Sequence, residues 1–306
     1  MRVFLTGATG WIGSAIVREL IDAGHSVVGL VRSKQNREAL AACGGTPLSG
    51  SLRDLDVLRQ AAGDADGVIH TAFGLDLAKI VELSKEDREA IETFGEVFAG
   101  SDRPIVVTGG FGLLPRGKTF TEDARPPVIA EFPRASEQTA FALAERGLRA
   151  SVVRLPRSAH GVGERHGFVP MLAAIARDKG VSAYVEDGQN LWPAVHRLDA
   201  ARVFRLALER GGRNEAFHAV AEGVPFRLIA EAIGRQFGLP AESLTPEQAA
   251  THFGGLAMWV AGNGPASSAE TRAVLGWEPG EMGIISDIDR SEYYRTGLFS
   301  SVSPAT

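Results

Sequence analysis

A short apolar run, Val3 to Thr6, leads directly into Gly7-Ala8-Thr9-Gly10-Trp11-Ile12-Gly13, and helix-forming sequence follows from Ser14 to Ala23, with Gly24 as its stop. Three glycines between a strand and a helix let backbone approach a ligand closely. The helix N-terminus adds aligned N–H donors and the positive end of a dipole. A glycine triplet alone says little, but this strand–turn–helix setting points to the pyrophosphate of a dinucleotide. A merely tight turn does not account for glycine at all three positions.

The remainder of the first 155 residues repeats the alternation. Ser26 to Val31 predicts a strand, as do Val68 to Thr71 after the turn Asp64-Ala65-Asp66-Gly67, Ile105 to Thr108, and Ser151 to Leu155. Ser84-Lys85-Glu86-Asp87 reads as a capping box. The helix it opens carries Ala90, Ile91, Phe94, Val97 and Phe98 on one stripe, and Arg134 to Arg146 reads as another helix, stopped by Gly147. Strands alternating with amphipathic helices predict an α/β chain of Rossmann type, a doubly wound parallel sheet. Beyond Leu155 the texture changes. Gly161, Gly163 and Gly167 mark loops, Asp199 reads as an N-cap, and Glu215 to Val220 reads as a short strand returning to the main sheet. Pro225 starts a helix that aligns Ile229, Ile233 and Phe237, and Thr245-Pro246-Glu247-Gln248 opens a further one. The expected division is a dinucleotide-binding domain, residues 1–155 with 196–221 returning to it, and a smaller mixed substrate domain from 156–195 and 222–306. Residues 300–306 are expected to be disordered.

Composition narrows the partners. With 32 basic and 37 acidic residues the net charge is −5, and no basic run exists, so nucleic acid and anionic membranes are not expected partners. No stretch approaches the ~20 apolar residues of a membrane span. A single cysteine, Cys43, excludes an internal disulfide or a thiolate cage and reads as a small buried hydrophobe. The seven histidines show no H-x-x-x-H pair, so no metal is expected. A cytoplasmic, reduced setting is the expectation.

The spacing G-x-x-G-x-x-G, together with Arg154-Leu155-Pro156 and Trp192-Pro193-Ala194-Val195-His196-Arg197-Leu198-Asp199, resembles the extended and atypical branches of the short-chain dehydrogenase/reductase superfamily, over most of the chain. Dinucleotide contacts are expected from Gly7, Thr9, Gly10, Trp11, Ile12 and Gly13. NAD enzymes place an acid at the end of the second strand for the ribose hydroxyls. Here that position is Val31, followed by Arg32, Ser33 and Lys34. Without the carboxylate a phosphate is not repelled, and the Arg32 guanidinium can grip it, so NADP(H) is favoured. The resemblance further implies that Ser51 and Leu52 lie along the adenine, although the family usually has aspartate where Ser51 stands. It implies that Thr71, Ala72 and Phe73 line the path to the nicotinamide, and that Leu155 and Pro156 open a segment bordering it.

The resemblance also implies a Tyr-x-x-x-Lys pair with a nearby hydroxyl. The three tyrosines, Tyr184, Tyr293 and Tyr294, are followed four residues on by Gly188, Gly297 and Leu298, so the pair is absent. Counting from Glu137, which matches a glutamate common on the family's catalytic helix, its slots fall on Ile129 and Pro133. Arg134 is the cation next to them. Read as the His-x-x-x-Arg pair of some atypical members, only the arginine half survives, because Ala130 takes the histidine position. Arg134 could hold the ribose or polarise a carbonyl, but it is too basic to donate a proton; capping, or pairing with Glu131 or Glu137, reads equally well. The serine slot falls in Thr108-Gly109-Gly110-Phe111-Gly112. Thr108 is its nearest hydroxyl, and the glycines form either an oxyanion-binding backbone or a plain turn. His160 and His166, in the loop after Pro156, are candidate proton donors, His160 foremost, while His196 reads as support for the fold.

The expected activity is hydride transfer between NADPH and a carbonyl, or another polarised double bond, of a small organic substrate. Thr108, Arg134 and backbone donors would stabilise charge, and His160 or water would supply the proton. A non-catalytic NADP(H) sensor, or an epimerase or isomerase using bound cofactor transiently, remains open. A homodimer through the Ser84 and Arg134–Arg146 helices is possible; a buried core face explains the same pattern.

Overall fold

In the computed structural model the described residues are 1–74, 76–111, 118–125, 127–128 and 133–290. The chain runs β1 (Arg2–Thr6), α1 (Trp11–Asp22), β2 (Ser26–Val31), α2 (Lys34–Ala42), β3 (Thr46–Ser49), α3 (Leu55–Gly63), β4 (Gly67–His70), α4 (Ile80–Phe98), β5 (Ile105–Gly110), α5 (Ser136–Glu145) and β6 (Ala150–Leu155). It continues through β7 (Ser158–His160), α6 (Phe168–Lys179), β8 (Ser182–Val185), β9 (Leu191–His196), α7 (Arg197–Arg210), β10 (Glu215–His218) and β11 (Glu222–Pro225). The last elements are α8 (Phe226–Phe237), β12 (Ala241–Leu244), α9 (Pro246–Phe253), α10 (Ala257–Ala261), α11 (Ala269–Leu275) and α12 (Ile284–Arg290).

Seven parallel strands form one sheet in the order β10-β6-β5-β4-β1-β2-β3, a Rossmann-type doubly wound arrangement. The order reverses beside β1, so the crevice for a ligand opens at the carboxyl ends of β1 and β4. Both sheet faces are buried, as parallel sheets require. Val3, Leu5 and Ile69 pack with α1 and α7 on one face, and Phe4, Val68 and Val107 pack with α3, α4 and α5 on the other. A third apolar cluster joins α6, α8, α9 and Trp192, over the small sheet β11-β9-β7 and the pair β12-β8.

Several local expectations are corrected. α4 begins at Ile80, four residues before the supposed capping box. Its first turn is set by burial of Ile80, and Asp87 is itself buried within the helix. Asp199 does not cap α7. His196 does, accepting from Leu198 N–H, while buried Asp199 accepts from the N–H groups of Gly280 and Glu281. Arg134 precedes α5 rather than belonging to it. Gly109 and Gly110 extend β5, pairing with Arg154 and Leu155, so they form strand, not turn. Cys43 is half-buried. Ile129, Ala130, Glu131, Gly112, Tyr293, Tyr294 and residues 300–306 lie outside the described residues.

Candidate active site

The turn after β1 is built as a cradle. Gly7 has φ +74°, a left-handed conformation open to glycine, and its carbonyl accepts from Gly10 N–H at 2.9 Å. A Cβ on Gly13 would stand 2.0 Å from the Gly7 oxygen, so α1 can start this close to β1 only without a side chain there. Gly10 caps α1 with no side-chain hydrogen bond, which leaves the first-turn N–H groups to a ligand. Thr9, Trp11 and Ile12 are half-buried around the turn. The Trp11 indole donates to the Ala159 carbonyl of β7 and lies 4.0 Å beneath the Arg197 guanidinium, a tie that sequence reasoning missed.

At the end of β2, Val31 is buried and Arg32 exposed, without a partner among the described residues. Ser33 caps α2, accepting from Asn36 N–H at 3.2 Å. Arg37, one turn along, donates to Ser49 at the end of β3. Ser51 donates to Asp54 through its backbone at 2.8 Å and its hydroxyl at 2.9 Å, and these bonds hold the Asp54 carboxyl below its ordinary range. The Ser51 hydroxyl, expected along the adenine, is therefore engaged within its own turn. Leu52 packs half-buried beside it.

A closed polar network occupies the opposite end. Thr71 hydroxyl donates to the Thr6 carbonyl at 2.8 Å, and Ala72 N–H donates to the Thr6 hydroxyl at 3.3 Å. That hydroxyl meets His70 Nδ1 at 2.8 Å, and His70 Nε2 faces Asp87 Oδ1 at 3.0 Å. The network assigns the His70 proton to Nε2. Ser136 donates to Asp87 Oδ2 at 2.6 Å and accepts from Arg134 Nε at 2.7 Å. Arg134 Nη2 donates to the Thr108 carbonyl at 3.0 Å, and its guanidinium covers the Phe73 ring at 4.1 Å. Burial pushes the Asp87 carboxyl up, but hydrogen bonds from His70 and Ser136 and the Arg134 charge together hold it below its usual range. Burial lowers Arg134, against the charges of Asp87 and Glu137. Glu131 lies outside the described residues and Glu137 pairs with Arg154; among the described residues Arg134 is thus fixed through Ser136 and Asp87 and by the Thr108 carbonyl. Its sequence signal was a carboxylate on the buried α4 stripe, at i−3 and i−4 from Ala90 and Ile91.

Thr108 donates its hydroxyl to the His70 carbonyl at 2.9 Å and is buried, and Phe111 N–H donates to the Leu155 carbonyl at 3.3 Å. The oxyanion site expected of a glycine turn here is therefore replaced by a paired strand. Glu137 instead forms a buried fork with Arg154, for which Gly109 leaves room: a Cβ there would lie 2.9 Å from Glu137 Oε2.

His160 stands in β7, not in a loop. Its Nδ1 lies 3.0 Å from Asp287 Oδ2, and its Nε2 is sealed without a partner among the described residues. His166 is exposed, and Tyr184 belongs to the β8–β12 pair. Glu164 is 2% exposed and is pushed up to about 8 by burial and then by the Asp287 charge. The folded chain thus keeps a proton that the unfolded chain releases above the ordinary 4.5, and stability falls with rising pH by up to roughly 1.4 kcal/mol per unit. His218, lowered to about 3 by burial and Arg154, acts oppositely, removing stability as pH drops below 6.5. The two slopes oppose each other between 4.5 and 6.5, and Glu164 acts alone above. Melting temperature should therefore decline from pH 6.5 to 8, and Glu164→Gln should remove most of that decline in thermal melts; an undiminished decline would count against it.

The glycine cradle, the uncapped helix terminus and the sheet order define a dinucleotide-binding α/β protein. The family model described as NAD(P)H-binding matches residues 7–177. The uncharacterized protein C2A9.02 of Schizosaccharomyces pombe is 46% identical over 296 residues, covering 96% of this chain and 100% of its own length. Sterol-4-alpha-carboxylate 3-dehydrogenase, decarboxylating, of Dictyostelium discoideum is 30% identical over 244 residues, covering 74% of this chain and 73% of its own. A solved nucleoside-diphosphate-sugar epimerase from Pseudomonas aeruginosa has a TM-score of 0.76 at 18% identity, covering 98% of this chain and 99% of its own, and shares the fold. The chain belongs to the NAD(P)H-binding family, within the extended short-chain dehydrogenase/reductase superfamily. Among the described residues no helix is long and apolar enough to cross a membrane.

Proposed function

We propose that the chain is an NADP(H)-dependent oxidoreductase that reduces a carbonyl, or another polarised double bond, of a small organic substrate, with a proton donor other than a Tyr–Lys pair. The observation that carries this is the acid-free end of β2, where exposed Arg32 stands unpaired among the described residues. The dinucleotide, when bound, supplies or accepts the hydride at nicotinamide C4. The Gly7–Gly13 turn and the α1 terminus would hold its pyrophosphate, and Arg32 its 2′-phosphate. Thr71, Ala72 and Phe73 would run alongside, with Leu155 and Pro156 across from them. Arg134, locked to the Thr108 carbonyl, would place a fixed positive charge beside the ring. Water would supply the proton, or His160, oriented by Asp287 through Nδ1, once binding uncovers its sealed Nε2.

A second reading, a non-catalytic NADP(H) sensor, is favoured by the engaged Thr108 hydroxyl and by the burial of His160. Purified protein with NADPH and a panel of carbonyl compounds separates the two. Net NADPH oxidation is expected; binding without turnover would leave the sensor, and product without net oxidation an isomerase. In fluorescence titrations Arg32→Ala should weaken NADPH about 10- to 100-fold, the worth of one charge-assisted phosphate contact, and leave NADH unchanged. An unaltered preference would remove the assignment of Arg32.

A further inference from the structure

The sheet order tells the two halves of a bound dinucleotide apart. With the pyrophosphate on the turn after β1 and the adenosine half at the end of β2, the other half must run the opposite way, over β4 and β5. Thr71 and Ala72 open that path. A Cβ on Gly7 would stand 2.5 Å from Thr71 Oγ1 and 2.8 Å from Ala72 N, so the glycine turn and this segment adjoin. Phe73 comes next, three residues beyond β4, and the Arg134 guanidinium covers its ring at 4.1 Å. The nicotinamide end of the path is thus bounded by a cation.

That cation is not free to move aside. Arg134 donates from Nη2 to the Thr108 carbonyl, Thr108 donates to the His70 carbonyl, and His70 Nε2 meets Asp87 Oδ1. Ser136 then joins Asp87 Oδ2 back to Arg134 Nε, which closes the ring. A surface arginine would swing away from a like charge, whereas this one must first break two hydrogen bonds. The counter-charge stands behind it. Asp87 is fully buried and reaches Arg134 only through the Ser136 hydroxyl, while Glu137 is forked onto Arg154. Arg134 itself keeps part of its surface open, and its Nη1 has no acceptor among the described residues. The open side of the arrangement is therefore its positive side.

NADPH and NADP+ share the adenine, both riboses, the pyrophosphate and the 2′-phosphate. They differ at the nicotinamide, which is neutral when reduced and cationic when oxidised, so a cation fixed beside the ring disfavours the oxidised form alone. We infer that Arg134 makes the protein select its cofactor by redox state, binding NADPH more tightly than NADP+. This selection rests on the NADP(H) reading of the site and requires no catalysed step. Calorimetric titration of the full chain with NADPH, NADP+ and 2′,5′-ADP, which lacks the nicotinamide, tests it. NADPH should bind about tenfold tighter than NADP+, the worth of like charges facing each other at a partly buried site. Arg134→Met should bring the two affinities within about twofold, and Arg134→Lys should keep most of the difference, while 2′,5′-ADP binding changes less than about twofold in both. Equal affinities in the unaltered chain, or tighter NADP+, overturn the inference even if Arg134→Met fails to fold. A preference that survives in Arg134→Met with 2′,5′-ADP still bound overturns it as well. Selection of NADPH without turnover of any carbonyl compound would sustain the inference and remove the oxidoreductase reading; turnover with equal affinities would do the reverse.

Discussion

Arg154→Ala is expected to lower folding stability by roughly 3–5 kcal/mol, the cost of stranding one member of a buried ion pair. The Arg154 side chain is fully buried, and its Nε lies 3.0 Å from Glu137 Oε2 while Nη2 serves Oε1. The remaining donors reach the Ala124 carbonyl and His218 Nε2, the latter at 2.9 Å. One side chain thus joins β6, α5, β10 and the segment around residue 124. Removing it leaves the Glu137 carboxylate, 7% exposed, without its hydrogen-bonded partner, facing only the unbonded charges of Arg125 and Arg134. Chemical denaturation should show the loss directly, and melting should shift by on the order of 10 °C. Replacing both residues with apolar ones of similar volume should be far milder than either single change. A loss below about 1 kcal/mol for Arg154→Ala would mean that the pair contributes little beyond packing.

Gly13→Ala should weaken dinucleotide binding at least about 100-fold, corresponding to nearly 3 kcal/mol. The added methyl would meet the Gly7 oxygen at 2.0 Å and the Gly7 carbonyl carbon at 2.8 Å. Both are backbone atoms of a turn held by the Gly10 N–H bond to Gly7, so neither can swing aside as a side chain would. Relief requires α1 to retreat from β1, and its N–H groups then leave the position that receives a pyrophosphate. Gly63→Ala is the matched control, because nothing lies within 4 Å of its would-be Cβ. Fluorescence titration with NADPH and NADH measures both variants. Unchanged affinity in Gly13→Ala would dissociate the turn from the cofactor.

What could be read in the chain was whatever a local pattern determines. The β1 turn, the strand Ser26–Val31, the returning strand near residue 215 and the Thr245–Gln248 capping box stand where local chemistry places them. Caps such as Ser84 and Asp199 misled because helix starts were decided by burial of Ile80 and by polar groups arriving from residues 280 and 281. The site was harder still, since its partners are remote in sequence. Asp87 meets Ser136 across 49 residues, and His160 meets Asp287 across 127. A spacing rule has no access to such pairs. Asp87 did leave a trace, as a charge on an otherwise apolar stripe.

The Trp11 indole gives the molecule a mechanical property. By reaching from the glycine turn to Ala159, and by lying under Arg197, it ties the nucleotide's seat to the strand that carries His160 and to the first residue of α7. A shift of the glycine turn is therefore passed to β7 and to the start of α7 through a single ring. For an oxidoreductase of the proposed kind, that tie favours compulsory order of addition, nucleotide first.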